Sequence, residues 1–248
     1  MSDLLGTVAR AISVLRVVAE AKSSVGVKEV SQLLDLPMAT THRLLDLLSR
    51  EGFIERNSNS RRYTAGPEFF RVSNLVVRKA SSASVVQPVL DQITESSSET
   101  SVFAAYVDSK QQVAFIGKSD SPQPLRLRVS LFLPLPLEWD AITIAILAQL
   151  TPDLQDRALA ALRKSMAQRA LKKSAIEEQL LALKETGYAS TLSAYFPEAV
   201  VIAAPLALPP GNAIGSIAML VPKLRFRRTR QSEYGDMLRM ASRRLIGS

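Results

Sequence analysis

The sequence predicts an α+β protein of two domains, an N-terminal winged helix-turn-helix followed by a domain built on an antiparallel sheet. Two short amphipathic helices separated by a proline occupy residues 28–53, and a β-hairpin follows them. From Glu99 onward, apolar residues follow the alternation typical of strands, with helical segments between them. The chain has 248 residues, 47% of them hydrophobic, which is enough for two domains with sizeable cores.

Composition narrows the class of protein. The chain has no cysteine, which excludes disulfides and thiolate metal sites and fits a reducing, cytoplasmic compartment. Its first residues do not show a positively charged segment that leads into an apolar signal core, and no apolar run reaches 18 residues, so we expect no membrane span and no membrane partner. His42 is the single histidine, which argues against Ser-His hydrolases and histidine metal clusters. We expect no catalytic residue, metal or cofactor.

Charge is concentrated at the two ends of the chain. The net charge is +8, with 12 Lys and Arg against 8 Asp and Glu in residues 1–80, and 8 against 2 in residues 222–248. Such a distribution suits a polyanionic partner. For the basic run at residues 225–230, pairing with acidic neighbours or simple solvation is favoured over DNA contact.

The first element is a predicted helix over residues 8–21, with Thr7 as its N-cap. A second helix carries Val30, Leu33 and Leu34 on one face and should stop before Pro37, which cannot donate a backbone hydrogen bond. A third should end at Gly52. Its inward face is formed by Thr41, Leu44, Leu45 and Leu48, and its outward face by Ala39, Thr40, His42, Arg43, Asp46 and Arg50.

This helix pair has the geometry of a helix-turn-helix, whose second helix enters the major groove of DNA. Residues 53–56 and 61–64 are predicted strands of a hairpin with a turn at 57–60, which would make the unit a winged helix. The alternatives are an ordinary helical hairpin and a solvated β-hairpin. The candidate DNA-contacting residues are Lys28, Ala39, Thr40, His42, Arg43, Arg50, Arg56, Arg61 and Arg62.

The expected division of the chain is a DNA-binding domain at residues 1–66, a linker helix at 67–85 and a second domain at 86–248. A helix is predicted from Glu68 to about Ala80, and another begins at Pro88. Strands at 101–107 and 112–117 form a hairpin, and the strict alternation of residues 125–131 predicts a half-buried strand.

Residues 131–139 are apolar but contain Pro134 and Pro136, so they fit neither a helix nor a central strand. An apolar loop of this kind should close a pocket or be covered by another subunit. Asp140 is the expected N-cap of a buried helix at 141–150. Further helices are predicted at 151–162, 172–185 and 231–246, and further strands at 188–192, 200–206 and 213–221, with a turn at 209–212.

Several segments resemble the IclR family of bacterial transcription regulators. They are TVARAISVLRVVAE, LLDLPMATTHRLLDLLSREGFIER and RRYTAGPEFFRV in the first domain, and AITIAILAQL, LKETGYAS, VIAAPLAL and AIGSIAMLVP in the second. The resemblance implies a winged-helix DNA reader joined by a linker helix to a GAF-like effector-binding domain. It also implies homodimers, often paired into tetramers, and a small organic acid as effector. Repression and activation fit the sequence equally.

The chain departs from the family pattern at several positions. Met38 and Ala39 replace a usual lysine and serine after the turn proline, and Thr143-Ile144 replaces a usual glycine-lysine pair. Positions that match polar effector contacts in the family are mostly apolar here, which favours an effector with an aromatic or otherwise apolar body. The candidate effector-binding residues are Leu135, Trp139, Ala141, Ile142, Thr191, Val201, Ala218 and Leu220.

Two other functions compete with a ligand-responsive regulator. One is an enzyme with an apolar α/β pocket, in which Glu138 and Asp140 would be an acid pair; capping and solvation are the simpler roles for them. The other is a winged helix that serves only as a protein-interaction module, which would show no salt-dependent affinity for DNA.

Overall fold

The computed structural model describes residues 6–79, 81–168, 173–208 and 213–246. The chain divides into two units with separate cores, residues 1–80 and residues 81–248. The assignment of residues 67–85 as a functional linker stays a prediction. No helix within the described residues is long and apolar enough to cross a membrane.

The first unit is a winged helix. Its elements are α1 (Thr7–Glu20), α2 (Val27–Leu34), α3 (Met38–Arg50), β1 (Ile54–Arg56), β2 (Tyr63–Ala65) and α4 (Pro67–Lys79). One apolar cluster joins the three helices to the hairpin; its buried members are Val14, Val18, Val25, Val30, Leu44, Leu45, Ile54 and Tyr63. The inward face predicted for α3 is therefore confirmed at Thr41, Leu44 and Leu45, all buried.

The helix boundaries follow local chemistry. The α2 helix ends at Leu34, its C-cap Asp35 adopts a left-handed φ of 49°, and Pro37 is the N-cap of α3. Gly52 follows α3 with φ of 72°, a conformation that glycine adopts without steric cost. The prediction for Thr7 was wrong by one residue: Thr7 is the first residue of α1, and Gly6, which has no side chain to donate or accept, is the N-cap.

The second unit has a six-stranded antiparallel sheet in the order β5-β4-β3-β8-β7-β6. Its elements are α5 (Ser81–Ser97), β3 (Thr100–Val107), β4 (Gln112–Ser119), β5 (Pro134–Pro136), α6 (Ala141–Leu147), α7 (Pro152–Gln168), α8 (Lys173–Thr186), β6 (Ala189–Leu192), β7 (Ala199–Leu208), β8 (Ala213–Pro222) and α9 (Gln231–Ile246). Helices α5 and α9 pack on one face of the sheet. Helices α6, α7 and α8 pack on the other.

Three predictions about the second unit were wrong. Residues 125–131 form no strand, although Val129 is buried and Arg126 and Arg128 are exposed, because alternation reports which side chains are buried and not which backbone groups are paired. Residues 134–136, read as part of a loop, form the edge strand β5 on β4; an edge is where proline, which lacks an N–H, is tolerated. The helix expected from Pro88 begins at Ser81 and contains that proline.

The remaining strands and helices of this unit were predicted to within a few residues, except that α7 extends to Gln168. The helix expected at 141–150 ends at Leu147. The turn predicted at residues 209–212 lies outside the described residues.

Candidate nucleic-acid interface and effector cleft

The first turn of α3 presents a small exposed surface. Ala39, His42 and Arg43 are spaced as neighbours on one helical face and are all exposed, whereas Thr40 is half-buried. Thr41 anchors this turn: its backbone N–H and its hydroxyl both donate to the Pro37 carbonyl, at 2.9 and 3.1 Å. The exposed residues are thus carried by a helix whose opposite face is fixed in the core.

The N-terminus of α3 has free backbone donors. Its N-cap, Pro37, provides no side-chain hydrogen bond, and the first amides of a helix have no intrahelical acceptor. Together with the positive end of the helix dipole, such donors form a binding site for a phosphate group. Arg43, one turn further along, forms no ion pair or hydrogen bond with any described residue.

Two further candidate DNA-contacting residues on the helices differ in whether their positive charge is free to bind DNA. Lys28 is exposed near the start of α2. Arg50 is exposed at the end of α3, but its guanidinium lies 2.7 Å from the Asp46 carboxylate. Arg50 therefore carries a partly neutralised charge, whereas Arg43 does not.

The wing contains two exposed arginines and one that is held within the protein. Arg56 is exposed and lies over the Tyr63 ring, 5.9 Å from its centroid, and Arg61 is exposed beside the turn. The Arg62 guanidinium instead donates to the Ser24 carbonyl and to Glu29, whose carboxylate lies at 2.8 Å. Arg62 is committed to joining the wing to the turn between α1 and α2.

Sequence reasoning did not identify Glu29 as part of this unit's polar framework. Its carboxylate accepts the Gly26 N–H at 3.0 Å as well as the Arg62 guanidinium. These two contacts, the backbone N–H first, lower the pKa of Glu29 below its usual value. The backbone pairing of Val25 with Tyr63, at 2.8 and 2.9 Å, fixes the same junction.

The predicted effector residues lie on one side of the second unit's sheet. Six of them are buried in the cluster formed with α6, α7 and α8: Trp139, Ala141, Ile142, Val201, Ala218 and Leu220. Leu135 packs half-buried against this cluster. Thr191 is half-buried, and its hydroxyl accepts the Ala141 N–H at 2.9 Å and donates to the Leu192 carbonyl at 3.0 Å. The structure brings the eight residues together as core packing, with Leu135 at the rim of a cleft.

That cleft has a volume of about 200 Å³ and an aromatic wall. It is lined by Phe115, Arg128, Ser130, Leu133, Leu135, Tyr195 and Phe196. The ring centroid of Phe115 lies 6.1 Å from that of Tyr195, at nearly perpendicular planes, and 6.2 Å from that of Phe196. Arg128 is exposed and pairs with no described residue. The cleft therefore combines aromatic surface with one available cation.

The aromatic wall is positioned by a buried carboxylate. Asp140 is fully buried; one oxygen accepts the Ile142 and Thr143 N–H groups at 3.0 and 3.3 Å, and the other accepts the Ala194 N–H at 3.2 Å. The predicted role of Asp140 as a helix N-cap is confirmed. The same side chain holds the segment that carries Tyr195 and Phe196.

The Tyr195 hydroxyl donates to the Pro136 carbonyl at 2.9 Å. Burial, followed by the nearby Asp140 carboxylate, raises the pKa of Tyr195 well above its usual value, so the phenol stays neutral.

No cluster of three or more potential metal ligands occurs within the described residues.

Sequence reasoning found Leu135 but missed the other cleft residues. One signal for them existed: the alternation at residues 125–131 places Arg128 and Ser130 on the side opposite Val129. Tyr195 and Phe196 gave no such signal, because their position depends on the long-range contact between Asp140 and Ala194.

Comparison with known proteins gives matches along nearly the whole chain. A model of the IclR helix-turn-helix domain matches residues 7–58, and a model described as "Bacterial transcriptional regulator IclR C-terminal" matches residues 74–246. The acetate operon repressor of Salmonella typhimurium is 28% identical over 144 residues. That alignment covers 58% of this chain and 53% of the relative, so it spans about half of the relative's length.

Solved structures share the fold. A regulator from Silicibacter matches with a TM-score of 0.78 and 24% identity, covering 98% of this chain and 95% of the other. An IclR homologue from Microbacterium hydrocarbonoxydans, crystallised with 4-hydroxybenzoate, matches with a TM-score of 0.76 and 17% identity, covering 98% of each chain.

Proposed function

The chain belongs to the IclR family of bacterial transcriptional regulators, and we propose that it binds operator DNA through its winged helix in a manner controlled by a small organic acid. The observation that carries the DNA-binding part is the free first turn of α3. There, exposed His42 and Arg43 stand beside unpaired backbone donors on a helix anchored by Thr41 and Leu44.

The DNA contacts divide by chemistry. Ala39, Thr40, His42 and Arg43 sit where a recognition helix meets base edges, and Arg43 can donate two hydrogen bonds to a guanine. Lys28, Arg50, Arg56 and Arg61 are suited to phosphates, which set the position of the protein without reading sequence. Arg62 supports the wing indirectly, because its guanidinium already binds Ser24 and Glu29.

Titration of labelled duplexes from the DNA upstream of the protein's own gene, with scrambled duplexes as the control, tests this part. We expect tighter binding to one native segment and an affinity that falls steeply as salt rises. Equal affinity for native and scrambled duplexes would reject sequence-specific binding. No measurable affinity for any duplex would favour a protein-interaction role.

We assign the effector to the cleft bounded by Phe115, Arg128 and Tyr195. Aromatic rings on one wall favour stacking or edge contacts with a planar ligand, and the free Arg128 guanidinium is suited to a carboxylate. The volume of about 200 Å³ limits the ligand to a small molecule. An aromatic carboxylic acid fits these features, and the Microbacterium homologue with bound 4-hydroxybenzoate supports the same class.

Thermal denaturation with benzoate and 4-hydroxybenzoate tests the effector class. A ligand at about 100 times its dissociation constant stabilises the folded state by roughly 2.7 kcal/mol, enough for a measurable rise in Tm. Arg128→Leu should remove the rise, whereas Arg126→Leu, which changes an exposed arginine outside the cleft lining, should keep it. An equal rise in both variants would reject Arg128 as the carboxylate-binding residue.

A homodimer is supported by an apolar groove on the first unit. The groove lies between α1 and α3, measures about 280 Å³ and is lined by Val8, Ile12, Leu15, Leu47 and their neighbours. Val8 and Ile12 are 74% and 52% exposed, and apolar residues grouped in this way mark an interaction surface. A second copy that covers the groove leaves the first turn of α3 free, and two-fold dimers match the paired half-sites of operators. Dimers of dimers remain compatible with this arrangement.

Sedimentation of the Ile12→Glu variant tests whether the groove between α1 and α3 is the dimer interface. We expect the wild-type chain to sediment as a dimer or tetramer and the variant to dissociate, because a carboxylate cannot be buried in the groove without a partner. Arg16→Glu, an exposed position on the same helix outside the groove, is the control. An unchanged mass for Ile12→Glu would move the interface elsewhere.

A further inference from the structure

A second cleft in residues 81–248 includes Thr191, one of the predicted effector-binding residues, but shares no lining residue with the cleft assigned to the acid. It lies between α8 and β6, extends to the start of α9, and has a volume of about 250 Å³. Ile144 of α6 and Gln231 of α9 are both among its lining residues. The cleft therefore touches elements from both layers of helices.

The position of this cleft is set by β6, which ends the six-stranded order of the sheet. Ser190 pairs in register with Ile202, which faces the α5–α9 layer, whereas Thr191 pairs with Val201, which faces α6. Both residues line the cleft, so it follows the open edge of the strand. An edge strand presents backbone N–H and C=O groups without a ladder partner.

The lining is polar but carries no charged side chain. Gln179, Ser190 and Gln231 contribute amide and hydroxyl groups from three different elements. The Gln179 side-chain oxygen is buried and accepts no hydrogen bond from the described residues. A buried amide oxygen without a donor is unfavourable. Because no hydrogen bond from a described residue holds this oxygen, the Gln179 amide can turn toward the cleft that it lines and accept a hydrogen bond from a bound molecule.

We propose that this cleft binds a small uncharged ligand that carries hydroxyl or amide groups, of which a polyol is the simplest example. Converging amide and hydroxyl groups recognise such ligands, whereas a carboxylate would find no cation in the lining. The cleft at Arg128 has the opposite character, with aromatic walls and a cation. The two clefts therefore select different chemical classes.

Two hydrogen bonds made by neighbouring residues connect the two clefts. The Thr191 hydroxyl, in the lining of the second cleft, accepts the Ala141 N–H. The preceding residue, Asp140, accepts the Ala194 N–H immediately before Tyr195, which lines the first cleft. A ligand that displaces Thr191 acts on the residues that hold the aromatic wall, so it should alter the affinity of the first cleft for an aromatic acid.

Saturation-transfer NMR titrations of the full chain with xylitol and propionamide test the proposal. We expect at least one of these uncharged probes to bind, and its affinity to fall about tenfold in Gln179→Leu, the loss expected for one buried hydrogen bond. Ala182→Phe introduces a large side chain from an exposed position of α8 into the cleft and should abolish binding. Ala160→Phe, at an exposed position of α7, is the matched control and should bind normally.

Binding that survives both Gln179→Leu and Ala182→Phe would overturn the assignment, as would the absence of transfer to either probe. Binding of an uncharged extended peptide, lost in Ala182→Phe while neither probe binds, would also overturn it and assign the cleft to a peptide strand. Benzoate, titrated in parallel, checks the first cleft independently: loss of polyol binding with benzoate binding intact separates failure at one site from failure at the other.

Discussion

At the scale of single residues, Arg43 is the position at which base reading is best tested. Its guanidinium is exposed one turn into α3 and has no partner among the described residues. Arg43→Ala should cost about 1–3 kcal/mol of operator binding and relax the preference at one base pair. Arg50→Ala is the matched control with a smaller expected loss, since Arg50 already pairs with Asp46.

The measurement for Arg43 is a fluorescence titration on operator and scrambled duplexes. A loss confined to the operator identifies a base contact. An equal loss on both duplexes would make Arg43 a phosphate contact, and no loss on either would remove it from the interface.

Glu29 makes the winged helix sensitive to acid. Contacts with the Gly26 N–H and Arg62 lower its folded-state pKa below the reference value of 4.5. A group with a depressed folded pKa stabilises the protein above its unfolded pKa and loses that contribution as pH falls through the folded value. Glu29→Gln should therefore lower Tm at neutral pH, by an amount that shrinks as the pH falls below about 4.5.

Calorimetry between pH 7 and pH 3 checks this, with Glu55→Gln, an exposed glutamate of β1, as the control. A difference in Tm between wild type and Glu29→Gln that stays constant over this range would mean that the Glu29–Arg62 contact does not stabilise the wing.

At the scale of elements, the wing should contribute phosphate contacts through Arg56 and Arg61. Each phosphate contact releases about one counterion, so neutralising both arginines should reduce the slope of log affinity against log salt by roughly two. Arg62→Ala should instead lower stability, because Arg62 joins the wing to Ser24 and Glu29. If the double variant keeps the wild-type slope, the wing does not touch DNA.

The elements also show what sequence patterns can and cannot predict. Periodicity located α3 and its buried face, because Thr41, Leu44 and Leu45 repeat at the spacing of one helical face. The alternation at residues 125–131 predicted the burial of Val129 correctly and a strand incorrectly. Whether a segment pairs depends on which neighbour reaches the edge of β4 first, and that place is taken by residues 134–136.

The candidate sites also differ in whether a sequence pattern can predict them. Residues 39–43 are close in sequence, so the helical period alone brings them to one surface. The cleft joins Arg128 to Tyr195 through the position of β5 and the contact between Asp140 and Ala194. Such long-range contacts leave no periodic trace in the sequence. The eight predicted effector-binding residues came from the family resemblance, and the structure buries six of them in the core.

At the scale of the whole molecule, the proposed function requires communication between the cleft proposed to bind an acid in residues 81–248 and the surface proposed to bind DNA in residues 6–79. Coupling between two ligands is reciprocal: if an acid changes operator affinity, operator DNA changes acid affinity by the same factor. Typical couplings of 1–3 kcal/mol correspond to changes of about 5- to 150-fold.

The most direct test of this account is the dissociation constant of the operator complex with and without saturating 4-hydroxybenzoate, in wild type and in Arg128→Leu. The account predicts a change of about fivefold or more in wild type, no change in the variant, and equal affinities of the two proteins without the acid. A wild-type protein that binds the acid but keeps the same operator affinity would contradict it. A variant that responds as strongly as wild type would contradict it as well.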